Sequence, residues 1–93
     1  MKFEWDENKR QENIRRHGLD FVEAQKMFNY PMLVRLDTRY DYGEDRYIGI
    51  GMANGRVLVI VYTERDHGNT IRIISLRKAL KYECKQYEKH LSN

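Results

Sequence analysis

Asn54-Gly55 sits between two apolar runs, and that junction constrains this chain more than any other feature. An Asn-Gly pair favours a two-residue type I′ turn, so the runs on either side pair as an antiparallel hairpin. The preceding run is Arg46-Tyr-Ile-Gly-Ile-Gly-Met52. The following one, Arg56 to Arg65, is apolar at successive positions and rich in β-branched residues, as in a strand covered on both faces. The turn sets the register: Met52 opposite Val57, Ile50 opposite Val59, Ile48 opposite Val61 and Arg46 opposite Thr63. Alternation then gives one face of Met52, Ile50, Ile48, Val57, Val59 and Val61, which needs helices over it. The other face carries Gly49, Gly51 and Tyr47 opposite Leu58, Ile60 and Tyr62, a shallow groove open to a helix or a ligand.

Asp66-His67-Gly68-Asn69 is turn chemistry, so Thr70 to Arg77 forms a second hairpin with the central run. A loop of these four residues pairs Arg65 with Thr70 and Thr63 with Arg72. Arg46, Thr63 and Arg72 then share a row across three strands, with Arg65 beside it. Around this core, Phe3 and Trp5 alternate with charged residues in a short extended segment. Asp6 is placed to cap a helix from Glu7 to His17, closed by Gly18. Asp20 with Glu23 opens a second helix as a capping box, and Asn29-Tyr30-Pro31 ends it. Met32 to Leu36 reads as an edge strand and Asp37 to Asp45 as a polar loop. Ser75 is placed to cap a C-terminal helix from about Leu76 to Leu91, with Leu76, Leu80, Cys84 or Glu83, Tyr87 and Leu91 as its buried stripe. The fold class is therefore α+β: two N-terminal helices, an antiparallel sheet of three to four strands and one C-terminal helix. The 93 residues form a single domain with a small core.

Charge is uneven. From Arg46 onward there are nine Lys or Arg against four Asp or Glu, while Leu19 to Asp45 is acidic. A basic half suits an acidic partner, nucleic acid foremost. One cysteine and no long apolar run fit a reducing cytoplasmic setting with no membrane span and no signal peptide. His17, His67 and His90 lie in separate segments without ligand spacing, so neither a metal nor another cofactor is expected. Arg77 and Lys78, at the start of the expected last helix, lie where a cation is disfavoured and a bound anion would relieve it.

What remains suits metal-free cleavage of RNA, which needs a base for the 2′-hydroxyl, cations for the phosphorane and an acid for the leaving oxygen. Arg46, Arg65 and Arg72 are the candidate cations, and His17, Lys9, Glu64 or Glu83 the proton-transfer candidates. Tyr62 and Tyr47 are placed either to stack on bases or to fill the glycine groove.

Phe3-x-Trp5-Asp6-x-x-Lys9, Asn13, His17-Gly18, Phe21, Ala24 and Phe28 resemble the opening pattern of the BrnT family of bacterial type II toxins. Arg46-Tyr-Ile-x-Ile-Gly51, Val57 to Arg65, Arg72-Ile-Ile-Ser-x-Arg77-x-Ala79, Glu83 and Tyr87 continue it. The chain departs at Arg16, Asn29 and Leu76, where the family has lysine, aspartate and alanine. The resemblance implies a RelE-like fold in a single toxin-like domain and an endoribonuclease that inhibits translation. It also implies a BrnA-like ribbon-helix-helix antitoxin, with DNA bound only through that partner. With these roles, His17, Arg65 and Arg72 are the expected catalytic residues, and Arg46, Lys9, Tyr62, Arg77 and Lys78 the expected RNA-binding ones. The alternative is a non-catalytic basic module that holds an antitoxin or DNA. Arginines converging in an open cavity beside a proton-transfer group favour the enzyme; arginines each tied to a carboxylate favour the binding module.

Overall fold

The computed structural model describes residues 1–92. Strand β1 (Lys2–Trp5) leads into α1 (Glu7–His17) and α2 (Phe21–Ala24), which continues as a 3-10 turn over Gln25–Asn29. Strands β2 (Leu33–Leu36), β3 (Tyr47–Ala53), β4 (Arg56–Arg65) and β5 (Thr70–Lys78) follow, and α3 (Lys81–Ser92) ends the described chain. The five strands make one sheet in the order β1-β5-β4-β3-β2.

The local signals act as expected. The Asp6 carboxylate accepts the Lys9 N–H, and Gly18 closes α1 at φ 68°, a left-handed conformation that glycine adopts without a Cβ penalty. Asp20 and Glu23 form a reciprocal capping box. Asn54 and Gly55 both have positive φ, as a type I′ turn requires, and the register is Met52–Val57, Ile50–Val59 and Ile48–Val61. Strand β2 is an edge, paired antiparallel to β3 alone.

Three expectations are corrected, beginning with the antiparallel sheet of three to four strands: it has five. The sheet is mixed, because β1 pairs parallel to β5 from Lys2–Thr70 to Trp5–Ile73. The aromatic residues of this short strand explain the docking: Phe3 packs edge-on against Phe28, and Trp5 against Phe21. The third correction concerns Ser75 and Leu76, which do not begin a helix. They lie inside β5, which pairs with β4 as far as Leu58–Lys78. Leu76 is fully buried, whereas Leu80 and Leu91, expected on the buried stripe of the helix, are exposed. The helix starts later because Glu83 reaches back to accept the Leu80 N–H, satisfying an end donor.

The groove expected over Gly49 and Gly51 is filled from within. Met27 and Met32 cover these glycines, and a Cβ on Gly51 would lie 2.5 Å from the Met32 Cγ. This side of the sheet is the main core, built from Leu19, Phe21, Ala24, Leu58, Ile60, Ile71, Ile73 and Leu76. On the opposite side α3 covers the sheet through Tyr87, which packs with Ile48, Ile50 and Val59 and whose hydroxyl donates to the Pro31 carbonyl.

Beyond Trp5 the outer edge of β5 has no strand beside it. Asn13 of α1 takes that place: its amide accepts the Leu76 N–H at 3.0 Å and donates to the Leu76 carbonyl at 2.9 Å, and to Leu19 O at 2.9 Å. One buried side chain thus imitates a strand neighbour, so the outer edge of β5 at Leu76 has its backbone satisfied without a second partner strand.

Candidate functional site

The face of the sheet turned toward α3 collects arginines. Alternation along β4 puts Val59, Val61, Thr63 and Arg65 on it, and pairing adds Arg35 opposite Ile48, Arg72 opposite Thr63 and Arg77 opposite Val59. Arg72 and Arg77 are an odd number of residues apart, so a regular strand would point them to opposite faces. A bulge opposite Val61/Tyr62 inserts Ile74 as an extra residue and returns both to the same face. Arg46 lies one residue before β3, its guanidinium 4.2 Å over the Tyr42 ring, while the Thr63 hydroxyl donates to the Asp45 carbonyl.

Most of these cations are held by carboxylates. Arg46 and Arg65 share Glu44, each at 3.2 Å. Arg72 meets Glu4 at 2.7 Å. Arg39 meets Asp37 at 2.8 Å, and Arg77 meets Glu83 through both terminal nitrogens, at 2.7 and 2.9 Å. Arg35 makes no ion pair among the described residues, although its charge acts on Glu83. The arginines expected to converge as a trio are therefore each tied to a carboxylate, two of them to the same one, and none of them lines the polar cavity on this face.

That cavity, of about 250 Å³, has Arg35, Arg39, Ser75, Arg77, Tyr82 and Glu83 around a floor of Ile48, Val59 and Val61. Glu83 is almost wholly buried, yet its carboxyl is held below the usual range, first by the Arg77 hydrogen bond and further by the Leu80 N–H. The Arg77 guanidinium is raised in return. Arg77 also donates to the Lys78 carbonyl, so three of its five N–H donors are engaged and two stay available.

His17 lies on the other side of β5. It shares a cleft of about 430 Å³ with Arg16, Arg77, Lys78 and Leu80, and an adjoining one of about 350 Å³ with Lys9, Asn13 and Ser75. Arg77 lines both the His17 cleft and the cavity on the sheet face. The structure thus groups His17, Lys9, Arg77 and Lys78 at the open end of β5, and Arg46, Arg65 and Arg72 along the far row. Arg77 and Lys78 are strand residues, so the expected anion site at a helix N-terminus is absent there. Tyr62, expected to contact RNA, is core: it is 6% exposed, stacked on Tyr47 and edge-on to Phe28. The exposed aromatic ring at the cavity is Tyr82 instead. Arg35, Arg39 and Tyr82 were not singled out from the sequence; the alternation of the Met32–Leu36 strand placed Arg35 on this face, but nothing local marks Arg39. Among the described residues no three His, Cys, Asp or Glu side chains cluster as a metal site requires, and no helix is long and apolar enough to cross a membrane. A roomier cavity, between Tyr30, Met52, Tyr87 and Leu91, is mostly apolar and contains none of these arginines.

Asp37, which orients Arg39, has a fully buried side chain bonded to Arg39 and to the Tyr42 hydroxyl. These bonds, the Arg39 one foremost, depress its pKa. A depressed carboxylate stabilises the fold above its unfolded pKa and loses that contribution as pH falls through the folded value. Asp37→Asn is therefore expected to lower the urea midpoint at neutral pH and to flatten its decline below about pH 4; an unchanged midpoint at neutral pH would exclude this role.

A sequence model described as "Ribonuclease toxin, BrnT, of type II toxin-antitoxin system" matches residues 5–83. The chain is also similar to the crystal structure of the Brucella abortus ribonuclease toxin BrnT, with 31% identity and a TM-score of 0.67. That match covers 87% of this chain and 99% of the Brucella one. No curated protein matches.

Proposed function

Because the chain belongs to the BrnT family of type II toxin–antitoxin ribonuclease toxins, we propose that residues 1–93 form a toxin domain of RelE-like fold that cleaves RNA in the cytoplasm, inhibits translation and is neutralised by a BrnA-like ribbon-helix-helix antitoxin. Any DNA contact is made through that antitoxin.

The observation that carries the reading is Arg77, which joins the His17 cleft to the arginine-lined cavity. In this mechanism a proton leaves the 2′-hydroxyl, O2′ attacks phosphorus, and the bond to O5′ breaks as O5′ gains a proton, giving a 2′,3′-cyclic phosphate. Arg77, through its two remaining donors, and Lys78 take the charge that develops on the phosphorane. His17 transfers the proton, and Lys9 holds the neighbouring backbone. Arg46 and Arg65, two cations on one carboxylate, keep net positive charge for flanking phosphates, with Arg72 beside them. Arg65 and Arg72 thus bind RNA rather than the transition state.

The carboxylate pairing of Arg46, Arg65 and Arg72 favours a second reading, a silent module whose arginines serve antitoxin binding. Cleavage of a defined RNA in the presence of EDTA separates the two. The enzyme reading expects cyclic-phosphate ends at an unchanged rate with EDTA. Intact RNA with the antitoxin still bound establishes the module, and cleavage lost only with EDTA refutes the metal-free mechanism.

A further inference from the structure

We infer that the free edge of β2 is the docking strand for an extended segment of the antitoxin, in which apolar residues alternate with acidic ones. The inference rests on the antitoxin reading above. The direction of the backbone bonds follows from one contact. The Asp37 N–H donates to the Arg46 carbonyl, which continues the β2–β3 register by one pair. Inward-bonding residues alternate along an antiparallel strand, so Asp37, Arg35 and Leu33 turn their amides to β3. Val34 and Leu36 therefore turn theirs outward, where no described residue meets them. The same two residues expose 41% and 46% of their surface, on the face opposite Arg35. A row of free amides with apolar side chains is the template that strand addition uses.

Charge selects the occupant. Arg35 is the only charged residue of β2 and makes no ion pair among the described residues, although its charge reaches Glu83 across the cavity, so an added strand meets a cation on one face and Val34 and Leu36 on the other. A second copy of this chain, paired antiparallel about Arg35, would set Arg35 against its own counterpart, a like-charge pair that destabilises a ladder. An acidic residue opposite Arg35, flanked by apolar ones, satisfies both faces.

The test uses isotope-labelled full-length protein and a short capped peptide of alternating valine and glutamate, with a valine–lysine peptide as comparison. The acidic peptide is expected to slow exchange of the Val34 and Leu36 amides at least tenfold and to shift their resonances. Leu36→Pro removes one outward N–H, which an edge strand tolerates, and is expected to weaken binding at least tenfold while RNA cleavage continues. Should Leu36→Pro fail to fold, Leu36→Lys serves instead, since it removes the apolar contact and leaves the backbone intact. Equal binding of the lysine peptide, no change at these amides, or a wild-type dimer that Leu36→Pro dissociates would each overturn the proposal. Cleavage measured on the same samples keeps it separate from the ribonuclease reading: active toxin with a silent edge removes only the docking strand, and peptide binding by inactive toxin removes only the enzyme.

Discussion

Arg77→Ala is expected to lower the rate of RNA cleavage by about a hundredfold, whereas Arg72→Ala should cost less than about tenfold. The first figure is the usual cost, on the order of 3 kcal/mol, of removing one preorganised group that meets transition-state charge. The second follows from position: Arg72, paired with Glu4 at 2.7 Å, lines neither the His17 cleft nor the polar cavity, whereas Arg77 lines both. Arg77→Ala alone is ambiguous, because it leaves the buried Glu83 carboxylate with a single backbone donor. Breaking one side of such a pair destabilises by roughly 3–5 kcal/mol. The variant that isolates chemistry from folding is Arg77→Ala with Glu83→Gln, which removes the stranded charge. Single-turnover cleavage and melting temperature are measured together. If this double variant folds and cleaves at the wild-type rate, Arg77 is not the phosphate ligand. If Arg72→Ala proves the more damaging, the transition state lies along the Thr63 row instead.

The contrast between those two arginines was beyond reach of the sequence for a definite reason. Turn chemistry at Asn54-Gly55 and at Asp66–Asn69 defined both ends of β4, and the pairings Thr63–Arg72 and Arg65–Thr70 follow from it. A bulge carries no comparable signal. Ile74 is one more β-branched residue in an apolar run, yet its insertion decides which face Arg77 takes. The end of β5 was obscured in a similar way. Ser75 is a good capping residue and Leu76, Leu80 and Tyr87 have helical spacing, but pairing with β4 overrides this local preference as far as Lys78. The caps at Asp6 and Asp20 were legible because each is completed within a few residues. The ion pairs of Arg72 with Glu4 and of Arg65 with Glu44 span long stretches of chain, and nothing local announces them. Tyr62 was open to two readings because a glycine-lined groove looks alike from sequence whether a methionine or a nucleobase fills it. Met32, just after the helix-ending Pro31, supplies the methionine.

Asn13→Leu is expected to remove about 3–5 kcal/mol of stability, a large share of the roughly 5–14 kcal/mol available to a chain of this length. Leucine keeps the branching and the number of heavy atoms, so the loss comes mainly from hydrogen bonding. Three buried backbone groups, Leu76 N–H, Leu76 C=O and Leu19 C=O, lose their partner at once. Each unsatisfied group costs about 1–3 kcal/mol, and water cannot readily replace the amide because Leu76 and Leu19 are 0% and 1% exposed. Asn13→Asp tests the direction of the bonds: it can still accept the Leu76 N–H, but it sets a negative charge against two carbonyl oxygens, so it should be at least as damaging as leucine. Urea denaturation gives the stability, and amide exchange at Leu76 gives the local effect. An unchanged urea midpoint in Asn13→Leu would show that the bonds carry no stability. Function should follow the same residue from a distance. Asn13 fixes the outer edge of β5 against α1, and this contact sets the Arg77 backbone relative to the helix that carries His17 and Lys9. Leucine makes none of these bonds and does not hold that spacing, so cleavage should fall in Asn13→Leu even under conditions where the protein stays folded, with the rate constant reduced more than the affinity for RNA.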